Sequence, residues 1–181
     1  MSESLIPIFC LHDIPPQMLT SILTKAYAHA IDINSPPTLL LVESTGTALR
    51  RYTRDAVTYP PVDSAFKSPF NGWELDDVVR FLREYAMGTV VDESVFLVAD
   101  GRTVEDESLL LVQSLHGDPM QSVRLAAEYV NTKAVAVAVA ATGVQELRSL
   151  VDGDGVFRGG GDNPSPRKGG KAPRKQLAGS G

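Results

Sequence analysis

Cysteine is nearly missing from this 181-residue chain. Cys10 alone cannot support an internal disulfide framework, and no CxxC or paired Cys/His spacing is present to build a structural zinc site. No apolar run approaches the roughly 20 residues needed to cross a bilayer, and the start, MSESLIPIF, lacks the basic flank and apolar core of a secretory signal. The expectation is an intracellular protein, cytoplasmic or nuclear, neither secreted nor membrane-bound. A glycine-rich phosphate loop is also lacking, and no catalytic signature appears, so no catalytic residue, cofactor or metal is assigned.

Charge is present, but it is unevenly spread. The net charge of −5 hides a division near Gly159. Beyond it lie five basic residues against the single acid Asp162, which leaves the preceding body at −9. An acidic body argues against direct nucleic-acid binding, whereas the basic tail suits an acidic partner.

The body reads as alternating strands and helices. Val95–Ala99, VFLVA, is too short for a helix and rich in β-branched and aromatic residues, as expected of a strand covered on both faces. Leu109–Val112 repeats the pattern, and the polar stretch between them, GRTVEDES, reads as a solvated connection opened by a turn at Asp100 and Gly101. Whether these two strands are neighbours is left open. Leu5–Cys10 and Thr38–Glu43 are further candidate strands, as is Ser122–Ala126. Ala127–Thr132 suits either helix or strand, and Ala134–Ala140, AVAVAVA, has the two-residue alternation of a strand.

Helices are predicted from apolar spacing. One begins after Asp13 with Pro15 and Pro16 in its first turn and ends near Ile31; a short one runs through Ala48, Leu49, Tyr52 and Ala56. A third starts at a capping box of Asn71 and Glu74 and stops at Gly88, and the last runs from Gly143 to Asp152 behind a box of Thr142 and Gln145. Together these predict a single compact α/β domain over residues 1–158, with a mixed sheet of about five strands and about four helices. Residues 159–181 hold one large apolar side chain, Leu177, and are expected to form a disordered basic tail because burial cannot offset their ordering entropy.

Several residue groups admit a functional reading beside a structural one. Cys10 and His12 share a face if both lie on a strand, the arrangement of a thiol and its base, but no third group is placed and an incidental role is favoured. Arg50, Arg51 and Arg54 suit phosphate, or simply a solvated helix face. Asp152 and Asp154 resemble part of a calcium loop without its remaining ligands, and helix termination explains them better. Glu105, Asp106 and Glu107 suit a cation or a solvated loop, Phe70 and Trp73 a ligand cleft or aromatic packing, and His29 and His116 the surface or its boundary.

Two resemblances follow from particular residues. The order FLVAD, SLLLVQSL, ELRSLVDGDGVFRG, with Asp100 after a strand and Asp154, Gly155, Val156, Phe157 and Arg158 at the end, resembles the family catalogued as domain of unknown function 6924 over Val95–Gly159. The resemblance implies a small α/β domain and supplies no catalytic residue. Gly169–Ala178, GGKAPRKQLA, resembles the amino-terminal tail of histone three for ten consecutive residues, and Arg167 and Lys168 resemble the pair just upstream. The sequence departs from that tail where Lys168 abuts Gly169 without the intervening serine and threonine, where Pro166 replaces alanine, and where Gly179, Ser180 and Gly181 follow Ala178.

By position, the resemblance implies acetylation at Lys171 and Lys175, arginine methylation at Arg174 and lysine methylation at Lys168, with histone-modifying enzymes or histone-tail readers as partners. Acetylation removes charge, while methylation keeps it and changes hydrogen bonding or fit to an aromatic cage. Native mimicry and a grafted substrate or epitope tag account for this segment equally, the closing GSG and the glycine-rich junction suiting the second, while a generic basic solubilising or nuclear-import segment is disfavoured by the residue-by-residue order. The function expected is therefore a non-enzymatic interaction protein whose tail is modified or bound by chromatin-modifying factors. The alternative is a small-molecule-binding domain, or an enzyme of unknown reaction, with an accessory tail.

Overall fold

The computed structural model describes residues 4–160. A six-stranded mixed sheet runs through the middle, its strands being β1 (Ile6–Cys10), β2 (Leu39–Leu41), β3 (Val95–Ala99), β4 (Leu109–Gln113), β5 (Gln121–Leu125) and β6 (Val156–Phe157). Their spatial order is β2-β1-β3-β4-β5-β6. β1 is parallel to both β2 and β3, β4 is antiparallel to β3 and β5, and β6 is parallel to β5. The two strands left unpaired by sequence are thus direct neighbours.

Among the described residues five α-helices flank the sheet: α1 (Pro16–Asp32), α2 (Leu75–Tyr85), α3 (Gly101–Asp106), α4 (Val130–Ala138) and α5 (Val144–Arg148). No described helix is long and apolar enough to cross a membrane.

Alternate residues of β1 to β4 enter different cores, as the pleat requires. Ile6, Ile8, Leu39, Leu41, Leu97, Leu111 and Val123 face the first core, where Leu19, Ile22 and Leu23 of α1, Val130 and Ala134 of α4, and Leu147 of α5 meet them. Phe9, Leu40, Phe96, Val98 and Val112 face the second, covered by Val78, Phe81 and Leu82 of α2 together with Leu49 and Phe70. The continuous apolar sequence of β1 and β3 follows directly, since both faces of these strands are buried.

Several local expectations are corrected. Ala134–Ala140 belongs mostly to α4, whose Val130, Ala134 and Val137 at positions i, i+4 and i+7 are buried. A valine–alanine alternation fits both periods, and contact with β3 selects the helix, whose small alanines permit close approach. The polar stretch after β3 is α3: the Asp100 side chain accepts from the Thr103 backbone N–H at 3.2 Å, and the Thr103 hydroxyl accepts from the Asp100 N–H at 3.0 Å. The cap of α2 lies at Glu74, whose N–H donates to the Asp77 carboxylate at 3.1 Å, so the box is three residues beyond the one expected at Asn71. At α5 the cap is Gly143, the Thr142 hydroxyl donates to the Glu146 carboxylate at 2.6 Å, and the helix ends at Arg148. The short helix near Ala48 is a 3-10 turn over Gly46–Arg51, and β6 was not anticipated.

A single buried polar side chain ties the two halves of the first layer. Asn131 on α4 accepts from the Thr38 N–H at 3.0 Å and from its hydroxyl at 3.1 Å, while its amide donates to the Pro36 carbonyl at 3.1 Å. This anchors the entry to β2 on a helix more than ninety residues away in the chain.

Candidate functional site

Two features concentrate chemistry among the described residues. The first is a groove between α2 and the 3-10 turn that follows β2. Its cavity is about 550 Å³ and is lined by Thr45, Gly46, Trp73, Asp77, Arg80, Phe81, Glu84 and Tyr85. The helical repeat creates it: Asp77, Phe81 and Tyr85 (i, i+4, i+8) and Asp77, Arg80 and Glu84 (i, i+3, i+7) lie along adjacent lines of α2.

Aromatic rings run continuously from the core to this groove. Phe9 meets Phe70, Phe81 and Phe96 edge-on at 5.0, 6.0 and 6.0 Å; Trp73 meets Phe70 at 5.0 Å and Phe81 at 5.8 Å; and Phe81 meets Tyr85 at 5.2 Å. Trp73 and Tyr85 remain partly exposed, whereas Phe70 is fully buried. Asp77 pairs with Arg80 at 3.2 Å, and Glu84 beside Tyr85 pushes the phenol's pKa upward by hydrogen bonding and by charge. Ring faces beside carboxylates suit an organic cation, because both offer negative potential to it.

The second feature is a charged lattice at the carboxyl ends of β3 and β5. Arg124, whose side chain is only 10% exposed, pairs with Asp100 and donates to the Ser108 hydroxyl at 3.2 Å. Arg102 bonds Asp106 at 2.9 Å and the Asp154 carbonyl at 3.0 Å, and Arg158 bonds Asp152 at 3.0 Å and Asp154 at 2.8 Å. Burial works to raise the Asp100 pKa, but the hydrogen bonds and charge of Arg124, with those of Thr103, hold it below the ordinary carboxylate range. Hydrogen bonding to Arg158 lowers Asp154 to about 2. Each acid has a cationic partner, so the lattice fastens α3 and the β6 region to the sheet end.

The structure separates the other candidates. Cys10 lies in the first core and burial pushes its thiol up to about 12, which removes the thiolate that nucleophilic chemistry needs, while His12 is exposed beyond the strand. His29 packs edge-on against Tyr129 at 4.9 Å, and His116 is exposed. Arg50, Arg51 and Arg54 are exposed on and after the 3-10 turn. Asp152 and Asp154 serve Arg158, Asp106 serves Arg102, and Glu107 pairs with Lys25 of α1. Among the described residues no group of three or more His, Cys, Asp or Glu is placed to hold a metal. Lys168, Lys171, Arg174 and Lys175 lie outside the described residues.

Phe70 and Trp73 both take part in aromatic packing, Phe70 fully buried and Trp73 edge-on against Phe70 and Phe81 while it also lines the groove. The groove itself escaped the sequence reading. Its only signal was the i, i+4, i+8 spacing of Asp77, Phe81 and Tyr85, which is hidden among residues that also serve the helix.

No curated protein and no solved structure matches the chain. A family model does, and it spans residues 43–160, taking in both the groove and the charged lattice while leaving β1, α1 and β2 outside. That model covers more than half of the chain, and the chain belongs to the family described as domain of unknown function (DUF6924).

Proposed function

We propose that this protein is a non-enzymatic interaction protein whose α/β body carries a histone-like segment that chromatin-modifying enzymes or readers recognise. The observation that carries the reading is the ten-residue run Gly169–Ala178. The body adds support through the position from which the segment departs. β6 is an edge strand, and Arg158 and Gly159 beyond it are exposed, so the chain leaves the sheet on its surface.

Lys171 and Lys175 are the acetyl acceptors in this reading, Arg174 is the arginine-methylation site and Lys168 a lysine-methylation site. An enzyme or reader takes such a segment as an extended strand, with backbone hydrogen bonds setting affinity and side-chain pockets setting specificity. The test is incubation of the full chain with a lysine acetyltransferase active on the histone three tail, followed by mass spectrometry of the modified residues. Label at Lys171 or Lys175 is expected; absence from both sinks the reading.

A further inference from the structure

We propose that the groove of Trp73, Phe81 and Tyr85 receives a cationic side chain from the chain's own segment 161–181. The inference goes beyond the histone reading and needs only the charge of that segment, so either can fail alone.

Three observations carry it. The groove presents three aromatic side chains with Glu84, a lining that attracts a lysine or arginine head group and covers its apolar stem, while Asp77 is taken up by Arg80 and the Glu74 N–H and the Arg50 charge acts on Tyr85 from outside the lining. Arg80 is the one cation in the lining, and it is engaged with Asp77 at 3.2 Å. The candidate occupant carries Arg167, Lys168, Lys171, Arg174 and Lys175 against a single acid, whereas the body it would meet is acidic. The span is also adequate: five strand spacings of about 4.8 Å separate β6 from β2, roughly 24 Å, and residues 161–181 reach about 70 Å when extended. Attachment to the same molecule raises the effective concentration of the segment, so even a shallow groove fills.

Acetylation of Lys171 and Lys175 would remove two of the five positive charges and weaken docking, whereas methylation would keep the charge and preserve it. The groove thereby competes with any enzyme or reader for the same side chains.

The sequence supplies its own reporter, because Trp73 is the only tryptophan. In the isotope-labelled full chain, Ala172→Cys is tagged with a thiol-directed spin label; the native Cys10 is 1% exposed and stays unreacted. The proposal expects the Trp73 indole N–H signal to lose at least half its intensity relative to the reduced label. The loss should disappear when Arg167, Lys168, Lys171, Arg174 and Lys175 are all changed to Ser, and should shrink in Glu84→Gln. No loss overturns the proposal, and so does a loss that survives removal of the five charges. Loss seen only when spin-labelled, isotopically unlabelled copies are mixed with unlabelled-tag, isotope-labelled ones overturns docking within one molecule and assigns the groove to a second copy.

Discussion

Replacing Asp100 with Asn tests the charged lattice with little change in shape. Asn caps a helix as well as Asp, so the first turn of α3 is preserved and the lost quantity is the charge facing Arg124. A hydrogen bond to a charged group is worth roughly 1.5–3 kcal/mol, but the Asp100 side chain is 32% exposed and solvent screens part of that. Asp100→Asn is therefore expected to destabilise by about 1.5 kcal/mol. Asp100→Ala also removes the cap and adds about 1 kcal/mol. Urea denaturation of Asp100→Asn, Arg124→Met and the double variant forms a cycle in which the two substitutions should couple by about 1 kcal/mol or more. The pH dependence has a definite sign. A carboxylate with a depressed folded pKa stabilises above its unfolded value of about 3.9 and loses that contribution as pH falls through the folded one. The gap between wild type and Asp100→Asn should be full at pH 7 and close below about pH 4. A coupling energy near zero, or a gap indifferent to pH, refutes the assignment of stability to this pair.

Phe9→Leu removes a fully buried ring with three edge-on partners and should cost about 2–3 kcal/mol in denaturant titration, more than loss of area alone because each aromatic pair adds to it. The Cys10 thiol, raised to about 12, should resist alkylation at pH 8 in the folded protein and react freely in denaturant; rapid native labelling would contradict its burial. Gly159→Ala should destabilise by roughly 1–2 kcal/mol, since φ there is +94° and a Cβ would stand 2.4 Å from the Tyr129 hydroxyl. A calorimetric melting temperature unchanged from wild type would show that Tyr129 yields without cost.

The elements most legible in the sequence were those in which local pattern and burial agree. β1 and β3 are uninterrupted apolar runs because helices cover both faces, and α1 and α2 display the spacing of one-sided burial. Where two periods fit the same letters, neighbours decided. Ala134 packs in the core shared with the sheet, and that contact made AVAVAVA helical. GRTVEDES offered no apolar stripe, yet one reciprocal pair, Asp100 with Thr103, starts α3.

Composition and order alone determined that the body is a layered α/β unit without a disulfide framework, that charge divides near Gly159, and that Gly169–Ala178 resembles a histone segment. These properties are additive along the chain or local to a few residues. The tertiary structure alone decided that β3 and β4 are adjacent, that Cys10 and His12 part company at the core boundary, and that residues from 45 to 85 enclose one groove. Each depends on distances between side chains far apart in sequence, and those distances are set by how the helices pack on the sheet.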